Sequence, residues 1–324
     1  MTQAIVIHEY GKSNVMSFEN INIHPPGKDE LLIKQNAIGV HYHDIYVRSG
    51  LYKTLKLPGI PGLEAVGVIE DVGPGELNFK SGDRIVYITS EYGAYASKRI
   101  LNKKLAIKLP DFVSDELIAT NFSRGLTSQM LINFVTKLNS SQTILVSAAS
   151  GGVGRLLCQM AKNIGSKVIG SVSNVEKAQL AKKYGCDHVL LYDQKNFIDK
   201  IMDITNGKGV DIVFDSVGLD TFDLSIEVLS ICGHLINFGQ SSGVVNPLKM
   251  ETLAKKSLTI SRPILFHYLN NHNIFEKMTA SVFKSFEDGF LNIPKSEPYA
   301  LKDAHKAHDV LESRHGGGSL YLVP

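Results

Sequence analysis

The stretch "HYHDIYVRSG", residues 41–50, contains the side chains that most readily suggest chemistry. On an extended chain alternate side chains share a face, so His41 and His43 would point the same way with Asp44 beside them. Imidazole and carboxylate groups are common zinc ligands, but a catalytic zinc needs three protein ligands and an open position. On a strand, Asp44 would face away from His43. We therefore expect no metal here and favour a hydrogen-bonded pocket or core histidine for His41 over a proton donor.

A Gly-rich turn in "TILVSAASGGVGRLLCQMAKNIG" is the second candidate. Gly151 and Gly154 occupy the second and third glycine positions of G-x-G-x-x-G, and Ala149 replaces the first. An apolar strand precedes the turn and a helix follows it, so backbone N–H groups at the helix N-terminus can bind a pyrophosphate. Further strand and helix units follow, which favours a dinucleotide site over a simple tight turn.

The end of the next strand, "SVSNVEK", indicates which dinucleotide binds. NAD enzymes place Asp or Glu here against the ribose 2′-hydroxyl. This chain has Ser171, Ser173 and Asn174, with Lys177 close by, so no carboxylate repels a 2′-phosphate. The sequence predicts NADPH, although Lys177 is also compatible with a solvated helix face.

The strands and helices that must position these groups follow two different sequence patterns. Up to about Asp111, short β-branched runs are separated by Gly and Pro, as in an irregular, mostly antiparallel β domain. From Ser114, a plausible helix N-cap, the chain changes to continuous apolar strands that alternate with helices, which indicates a doubly wound parallel sheet. The helices are expected over residues 153–164, 176–184, 197–205 and 221–230. After Arg262 the pattern becomes helical and ends in a helix from Leu301 to Ser313 and a short strand, "LYLV".

Composition limits the partners. The 324 residues are 44% hydrophobic and 20% charged with a net charge of +2, which is typical of a globular protein that binds small molecules. No basic run predicts nucleic acid or a membrane surface, and no secretion signal or long apolar run is evident, so we expect a cytosolic protein. Cys158, Cys186 and Cys232 are scattered, which favours buried free thiols over disulfides or a sulfur-rich zinc lobe.

Nine segments in order resemble the zinc-free quinone oxidoreductases of the medium-chain dehydrogenase/reductase superfamily. They are "YVRSGLY", "PGLEAVGVIEDVG", "GDRIVY", "GLTSQML", "AASGGVG", "FDSVG", "INFGQSSG", "SRP" and "LKDAHKAHDVLESR". The resemblance implies an α/β fold with a Rossmann doubly wound parallel sheet inserted in a GroES-like, mostly antiparallel β domain. The boundaries would be residues 1–122, 123–265 and 266–324. It also implies NADPH in the cleft between the domains and a homodimer.

The same resemblance implies a set of cofactor contacts. The nicotinamide end would lie beside Tyr42, Asp44 and Tyr46, with Thr127 and Met130 flanking it. The pyrophosphate would meet Gly152 and Val153 beside Gly151 and Gly154, and the 2′-phosphate would bind Ser173, Asn174 and Lys177. The remaining contacts would be Tyr192 at the adenine, then Ser216, Phe238, Gly239, Ser241, Ile264, Phe266 and Arg314. The segment "SRHGGGS" around Arg314 differs from the usual C-terminal sequence of the family.

The family also bears on the metal question. Zinc-dependent members have Cys in place of His41 and a His-Glu pair in place of Leu63 and Glu64, and Leu63 cannot bind a metal. Zinc-free relatives commonly have Asn at position 41. A second cluster, His305, His308 and Asp309, lies in the family's C-terminal helix, where we expect a solvated face.

These observations predict a zinc-independent, NADPH-dependent reductase of quinones or α,β-unsaturated carbonyls. Without a Lewis acid the acceptor must already be electrophilic. Tyr46 is expected to donate a hydrogen bond to the acceptor oxygen, with His41 as a second donor, although Tyr46 is equally compatible with a pocket wall. The alternatives are a zinc-dependent alcohol dehydrogenase and an NADPH-binding protein with a structural or RNA-binding role.

Overall fold

The computed structural model describes residues 1–75, 78–313 and 319–324. Two compact units are present. One, here the split unit, consists of Met1–Ser123 and Pro294–Pro324; the other, the inserted unit, is Arg124–Ile293. Within the described residues, no helix combines the length and the apolar character that a membrane span requires.

The strands and helices are numbered in chain order. The strands are β1 (Thr2–Ile7), β2 (Met16–Ile21), β3 (Glu30–Val40), β4 (Glu64–Val72), β5 (Arg84–Ile88), β6 (Lys98–Asn102), β7 (Ala106–Lys108), β8 (Thr143–Ser147), β9 (Lys167–Val172), β10 (His188–Leu191), β11 (Val210–Asp215), β12 (Leu229–Asn237), β13 (Thr259–Ser261), β14 (Glu297–Ala300) and β15 (Leu320–Val323). The α-helices are α1 (Tyr42–Ser49), α2 (Asp115–Gln129), α3 (Gly152–Ile164), α4 (Val175–Lys183), α5 (Phe197–Ile204), α6 (Phe222–Glu227), α7 (Met250–Ala254), α8 (Leu265–Leu269), α9 (His272–Glu287) and α10 (Ala304–Ser313).

The split unit is built on a mostly antiparallel sheet. Its strand order is β14-β15-β3-β4-β5-β7, with β6 also paired to β3, while β1 and β2 form a separate antiparallel pair. The register of the central pair sets Ile33 opposite Ile69 and Ala37 opposite Val66, and all four side chains are buried. The long strand β3 thus links most of the sheet and leads directly into His41.

The inserted unit contains a parallel sheet in the order β10-β9-β8-β11-β12-β13. This is the Rossmann arrangement, in which the strand order reverses between β8 and β11 and ligands bind at the carboxyl ends of the strands. Apolar side chains of the strands, among them Leu145, Ile169, Val213 and Leu235, are buried in its core. The predicted fold class, a doubly wound parallel sheet inserted in a mostly antiparallel β domain, is confirmed.

The reading of "HYHDIYVRSG" as extended chain was wrong, because residues 42–49 form helix α1. His41 is the N-cap, and its backbone N–H donates to the Asp44 carboxylate over 2.8 Å. The buried positions Asp44, Val47 and Arg48 follow helical spacing, and Gly50, with φ of 81°, ends the helix in a left-handed conformation. The strand argument that placed Asp44 opposite His43 therefore does not apply.

The chain returns to the split unit later than residue 266, the position that the family resemblance implies. Helices α8 and α9 belong to the inserted unit, and the split unit resumes at Pro294. The reason is packing: α9 buries Met278 and Val282, and a Cβ on Gly125 would lie 2.9 Å from Val282. Helix α6 is also shorter than predicted, because the chain already enters β12 at Leu229.

The three thiols differ in environment. Cys158 and Cys186 are buried, with their sulfur atoms 3.5 Å apart, as the composition predicts for free thiols. Cys232 is exposed, so the expectation of burial was wrong for this residue. It lies on β12 beside Ile231, which is also exposed.

Candidate active site

A buried contact between a histidine and a carboxylate lies at the start of α1. His41 Nε2 is 2.7 Å from a Glu64 carboxylate oxygen, and Glu64, on β4, is fully buried. The Ser123 backbone N–H also donates to this carboxylate, over 3.2 Å, and the Ser123 hydroxyl lies 3.4 Å from the same His41 nitrogen. A Cβ on Gly39 would lie only 2.7 Å from Nε2, so Gly39 provides the space for the ring. His41 is therefore a hydrogen-bonded, nearly buried histidine whose orientation is fixed by Glu64.

A second set of hydrogen bonds, here called the polar network, runs from Asp44 through Tyr95, His308 and Arg48 to Glu312. The Tyr95 hydroxyl lies 3.3 Å from Asp44 Oδ2 and 2.9 Å from His308 Nε2, and Arg48 Nη1 lies 3.2 Å from His308 Nδ1. Arg48 also binds Glu312 through two hydrogen bonds of 3.0 and 2.9 Å. The expectation of a solvated face was wrong for His308. Its side chain is fully buried, because it lies between Tyr95 and Arg48 in this network.

Burial shifts several pKa values in the split unit. It lowers the pKa of His308 to about 3, with the neighbouring Arg48 charge acting in the same direction. It lowers the pKa of His43 to about 4, reinforced by the charge of His41. Burial raises the pKa of Asp44 to about 6 against the opposing effect of His41. Both histidines are therefore neutral near pH 7. One oxygen of the Asp44 carboxylate, Oδ1, is buried without a hydrogen-bond partner.

Aromatic rings cluster around His43 and Tyr46, and most of them are edge-on or tilted to one another. Tyr46 contacts Tyr42 edge-on at 5.2 Å between ring centroids and Tyr52 at 5.0 Å. The His43 ring stacks on Tyr92 at 6.1 Å and meets Tyr52 edge-on at 5.4 Å. Tyr52 and Tyr92 were missed from the sequence. For Tyr52 the motif "YVRSGLY" held a signal, whereas Tyr92 lies almost fifty residues away and gave none.

The inserted unit contains the Gly-rich turn, residues 148–154 and here called the phosphate loop, between β8 and α3, where the sequence predicts a turn between a strand and a helix. It follows β8, Gly151 is the N-cap of α3, and Ala148 adopts a positive φ of 49°. A Cβ on Gly154 would lie 2.3 Å from the Ala148 carbonyl oxygen, so only glycine fits there. No acidic side chain lies in the first turn of α3. The N–H groups of this turn are therefore suited to an anionic ligand.

The end of β9 brings together three of the predicted 2′-phosphate contacts. Lys177 Nζ donates to the Ser173 hydroxyl over 3.2 Å. Asn174 is the N-cap of α4, where its side-chain oxygen accepts the Lys177 backbone N–H over 2.9 Å. Ser171 is buried, so it is not available to a ligand. A lysine and a hydroxyl, with no carboxylate at this strand end, suit a phosphate better than a ribose hydroxyl.

Buried polar groups organise the ends of β11 and β12. Asp215 accepts the Val217 N–H over 2.9 Å and the Thr221 hydroxyl over 2.8 Å, and Asn237 donates to it over 3.1 Å. Arg262 donates to the carbonyl oxygens of Asn237 and Gly239 and to the Asn237 side chain. The motifs "FDSVG" and "SRP" contain Asp215 and Arg262, but their structural role was not inferred from the sequence.

The other predicted contacts are placed as follows. A Cβ on Gly239 would lie 2.6 Å from the Ser216 carbonyl oxygen, which also accepts the Ser241 N–H over 3.3 Å. Met130 is buried directly after α2 and Ile264 is half-exposed, while Arg314 lies outside the described residues. The half-buried remainder comprises Thr127 on α2, Val153 on α3, Tyr192 after β10, Phe238 after β12 and Phe266 on α8.

The residues fit a dinucleotide but do not fit a catalytic zinc. Gly154 leaves a cradle at the α3 N-terminus that a Cβ would fill, and Lys177 supplies a cation. Leu63, in contrast, is a buried apolar side chain, and His41 is held by Glu64. Among residues 1–75, 78–313 and 319–324, no group of three or more His, Cys, Asp or Glu side chains is arranged to hold a metal ion.

Comparisons with known proteins find relatives for both units of the chain. A family model described as an alcohol dehydrogenase GroES-like domain matches residues 27–111, and one described as a zinc-binding dehydrogenase matches residues 152–284. Quinone oxidoreductase 1 of Escherichia coli (strain K12) is 37% identical to this chain, and the match covers 100% of both. A 2-haloacrylate reductase of Burkholderia sp is 34% identical over 100% of this chain and 99% of its own.

The structural comparison extends over the whole chain. The solved Escherichia coli quinone oxidoreductase complexed with NADPH has a TM-score of 0.96 and 36% identity, with 100% of both chains covered. Two proteins can share a fold with much lower sequence identity, so 36–37% identity over both whole chains indicates a common family. The chain belongs to the quinone oxidoreductases of the medium-chain dehydrogenase/reductase superfamily.

Proposed function

We propose that this protein is a zinc-independent, NADPH-dependent reductase of quinones or α,β-unsaturated carbonyls. The relatives named for quinone and 2-haloacrylate reduction cover the whole chain, so both units have counterparts in them. The observation that carries the metal-free assignment is the pair at Leu63 and Glu64. The first is apolar, and the second binds His41 at 2.7 Å.

The inserted unit supplies the cofactor site. NADPH, when bound, provides a hydride from its nicotinamide ring to an electron-poor acceptor. The N–H groups at the start of α3 bind the pyrophosphate, and Ser173 and Lys177 bind the 2′-phosphate. Asn174 contributes mainly by capping α4, which holds Lys177 in the first turn of that helix. The preference for NADPH over NADH then depends on Lys177.

The split unit supplies the acceptor side. Tyr46 donates its hydroxyl proton as a hydrogen bond to the acceptor oxygen, where negative charge develops. The His41 Nε2 already binds the Glu64 carboxylate, so His41 acts as a positioning residue at the start of α1 rather than as a second donor. The rings of Tyr42 and Tyr52 flank Tyr46 and favour planar, conjugated acceptors. Such acceptors spread the incoming charge by conjugation, which compensates for the missing Lewis acid.

A homodimer and a cytosolic location are part of the proposal, because the family resemblance and the composition favour them. Sedimentation equilibrium of the purified protein measures the subunit number directly. We expect twice the chain mass of 35.5 kDa.

A panel of acceptors tests the proposed reaction. NADPH oxidation is followed with quinones, conjugated enones and saturated ketones of matched size. We expect turnover with the conjugated acceptors and none with saturated ketones, since only the former are electrophilic without a metal. Turnover of saturated ketones would favour the zinc-dependent alcohol dehydrogenase. Cofactor binding without turnover of any acceptor would favour a non-catalytic role.

A further inference from the structure

Three hydrogen-bonding side chains in the split unit, those of His43, Tyr92 and Thr54, form a line that the proposed mechanism does not use. His43 Nε2 lies 3.3 Å from the Tyr92 hydroxyl oxygen, which lies 2.5 Å from the Thr54 hydroxyl oxygen. His43 is half-buried, Tyr92 retains 4% exposure, and Thr54 is exposed. The line therefore connects an imidazole ring to solvent through a buried hydroxyl group.

The inner end of this line lies beside Tyr46. His43 and Tyr46 are three residues apart on α1, so their side chains are neighbours on one face of the helix. Both rings also contact the ring of Tyr52, at 5.4 and 5.0 Å between centroids. An acceptor that binds the Tyr46 hydroxyl is therefore adjacent to His43.

The two inner groups have the protonation states that a proton relay needs. Burial lowers the pKa of His43 to about 4, reinforced by the charge of His41, so the ring is neutral near pH 7. A neutral imidazole has one donor and one acceptor nitrogen. Burial raises the pKa of Tyr92 above its ordinary value, and the hydrogen bond with Thr54 opposes this only in part. The Tyr92 hydroxyl therefore keeps its proton and can accept one hydrogen bond while it donates another.

The backbone fixes the middle group of the line at a conformational cost. Tyr92 has a φ of 60°, in the left-handed region that a bulky residue rarely adopts. The N–H of the following residue, Gly93, donates to the Ile60 carbonyl over 2.9 Å, and the Tyr92 ring stacks on His43. Strain of this kind persists where the surrounding contacts determine the conformation, and it is concentrated at functional sites. The fold thus holds the Tyr92 hydroxyl between His43 and Thr54.

We propose that His43, Tyr92 and Thr54 relay a proton from solvent to the reduced acceptor. Hydride transfer leaves one negative charge on a quinone or enone, so each turnover consumes one proton. His43 gives its Nδ1 proton to the acceptor oxygen, where an O–H bond forms, and its Nε2 takes the proton of the Tyr92 hydroxyl. Tyr92 takes the proton of Thr54, and Thr54 takes one from solvent, so no residue changes its net charge. The relay rests on the proposed function and adds the proton source to it, while Tyr46 remains the hydrogen-bond donor.

Isotope effects on steady-state turnover test the relay. The kcat with one quinone is measured for the unaltered chain, Tyr92→Phe, Thr54→Val and Tyr10→Phe. Each is assayed with NADPH, with NADPH that carries deuterium at the transferred C4 position, and in D₂O. Phenylalanine at position 92 keeps the ring that stacks on His43 and removes only the hydroxyl. Tyr10→Phe is the control, because the Tyr10 hydroxyl is also in the split unit but donates to the Leu55 carbonyl over 2.9 Å.

Tyr92→Phe is expected to lower kcat about tenfold, less than the loss of a general acid, because water partly replaces the hydroxyl. Its solvent isotope effect on kcat should increase and its C4 deuterium effect should decrease, because protonation rather than hydride transfer then limits the rate. The dissociation constant for NADPH should stay within about twofold. Thr54→Val should show the same changes at smaller size, because water reaches an exposed position more easily, and Tyr10→Phe should show none of them.

The proposal is overturned if Tyr92→Phe has the same kcat as Tyr10→Phe. It is also overturned if kcat falls while the C4 deuterium effect stays the same or grows, since the hydroxyl then only positions the rings for hydride transfer. If Tyr92→Phe does not fold, Thr54→Val decides by the same two isotope effects. Failure of the proposed function looks different, because the unaltered chain then oxidises NADPH with no quinone or enone.

Discussion

The phosphate loop of the inserted unit and the polar network of the split unit are specified in different ways. The loop is local: a strand, a tight turn and a helix within residues 143–164 place its backbone N–H groups. The network is not local, because Tyr95 and His308 are 213 residues apart in sequence and Arg48 and Glu312 are 264 apart. Backbone geometry determines one site, and side-chain partners determine the other.

The two sites should therefore fail differently when altered. The loop depends on the absence of side chains, so adding a methyl group is damaging while the rest of the unit stays folded. The network depends on buried polar groups that satisfy one another, so removing one group leaves its partners desolvated. Loop variants should lose ligand binding, and network variants should lose stability.

Gly154→Ala is the strongest test of the loop. Its Cβ would lie 2.3 Å from a backbone oxygen of Ala148, which cannot move aside cheaply. We expect the dissociation constant for NADPH to rise on the order of a hundredfold, because overpacking of about 1–3 kcal/mol falls on the pyrophosphate cradle. Gly152→Ala meets the flexible Arg124 side chain instead and should weaken binding less. Equal effects of the two changes would contradict the geometry.

His308→Ala is the corresponding test of the network. It leaves Arg48 and Tyr95 buried without their shared partner. The free energy of unfolding in urea should fall by about 2–4 kcal/mol. His305→Ala, on the same helix but only half-buried, should change it by less than about 0.5 kcal/mol. If the two variants unfold at the same urea concentration, His308 does not stabilise the split unit.

Tyr46→Phe tests the acceptor side of the proposed mechanism. Loss of one hydrogen bond to the developing negative charge should lower kcat about tenfold, less than at an oxyanion hole because the acceptor is already electrophilic. The dissociation constant for NADPH should not change. Tyr299→Phe, on β14, is the control. Unchanged kcat in Tyr46→Phe would leave Tyr46 as a pocket wall only.

The pH dependence of stability tests the buried titrating groups. Between about pH 4 and 6, the unfolded chain takes up protons on His43 and His308 that the folded chain excludes, since burial lowers their pKa values to about 4 and about 3. The folded chain takes up one proton on Asp44, whose pKa is about 6. These three groups together make the free energy of unfolding rise by about 1.4 kcal/mol per pH unit, a net difference of one proton.

Asp44→Asn removes the proton that the folded chain takes up on Asp44. The free energy of unfolding should then rise more steeply with pH, by about 1.4 kcal/mol more per pH unit between about pH 4 and 6. Urea titrations at several pH values measure both slopes. Parallel slopes for the two proteins would mean that Asp44 titrates in the folded protein as it does in the unfolded chain.

The sequence predicted what local patterns determine. The alternation of apolar strands and helices identified the parallel sheet, and the loop with Gly151 and Gly154 was placed correctly at the start of α3. Ser114 caps α2 as expected, since its hydroxyl accepts the Leu117 N–H. In these cases a few neighbouring residues contain the whole physical reason for the structure.

The sequence did not predict what distant contacts determine. "HYHDIYVRSG" was interpreted as extended chain, because ten residues of mixed polarity do not distinguish a strand from a helix whose polar face is buried. His308 was assigned to solvent because its partners Arg48 and Tyr95 are far away in sequence. The later return of the chain at Pro294 depends on α9 packing near Gly125, which periodicity alone does not reveal.

We expect NADPH-dependent reduction by this chain to need no metal. The most direct test is the rate of NADPH oxidation with one quinone, measured on protein treated with a chelator and assayed for residual zinc. We predict the same kcat before and after treatment, no gain on adding zinc, and a higher kcat/KM with NADPH than with NADH. Activity that disappears with the zinc and returns when zinc is added back would mean that the reaction depends on the metal.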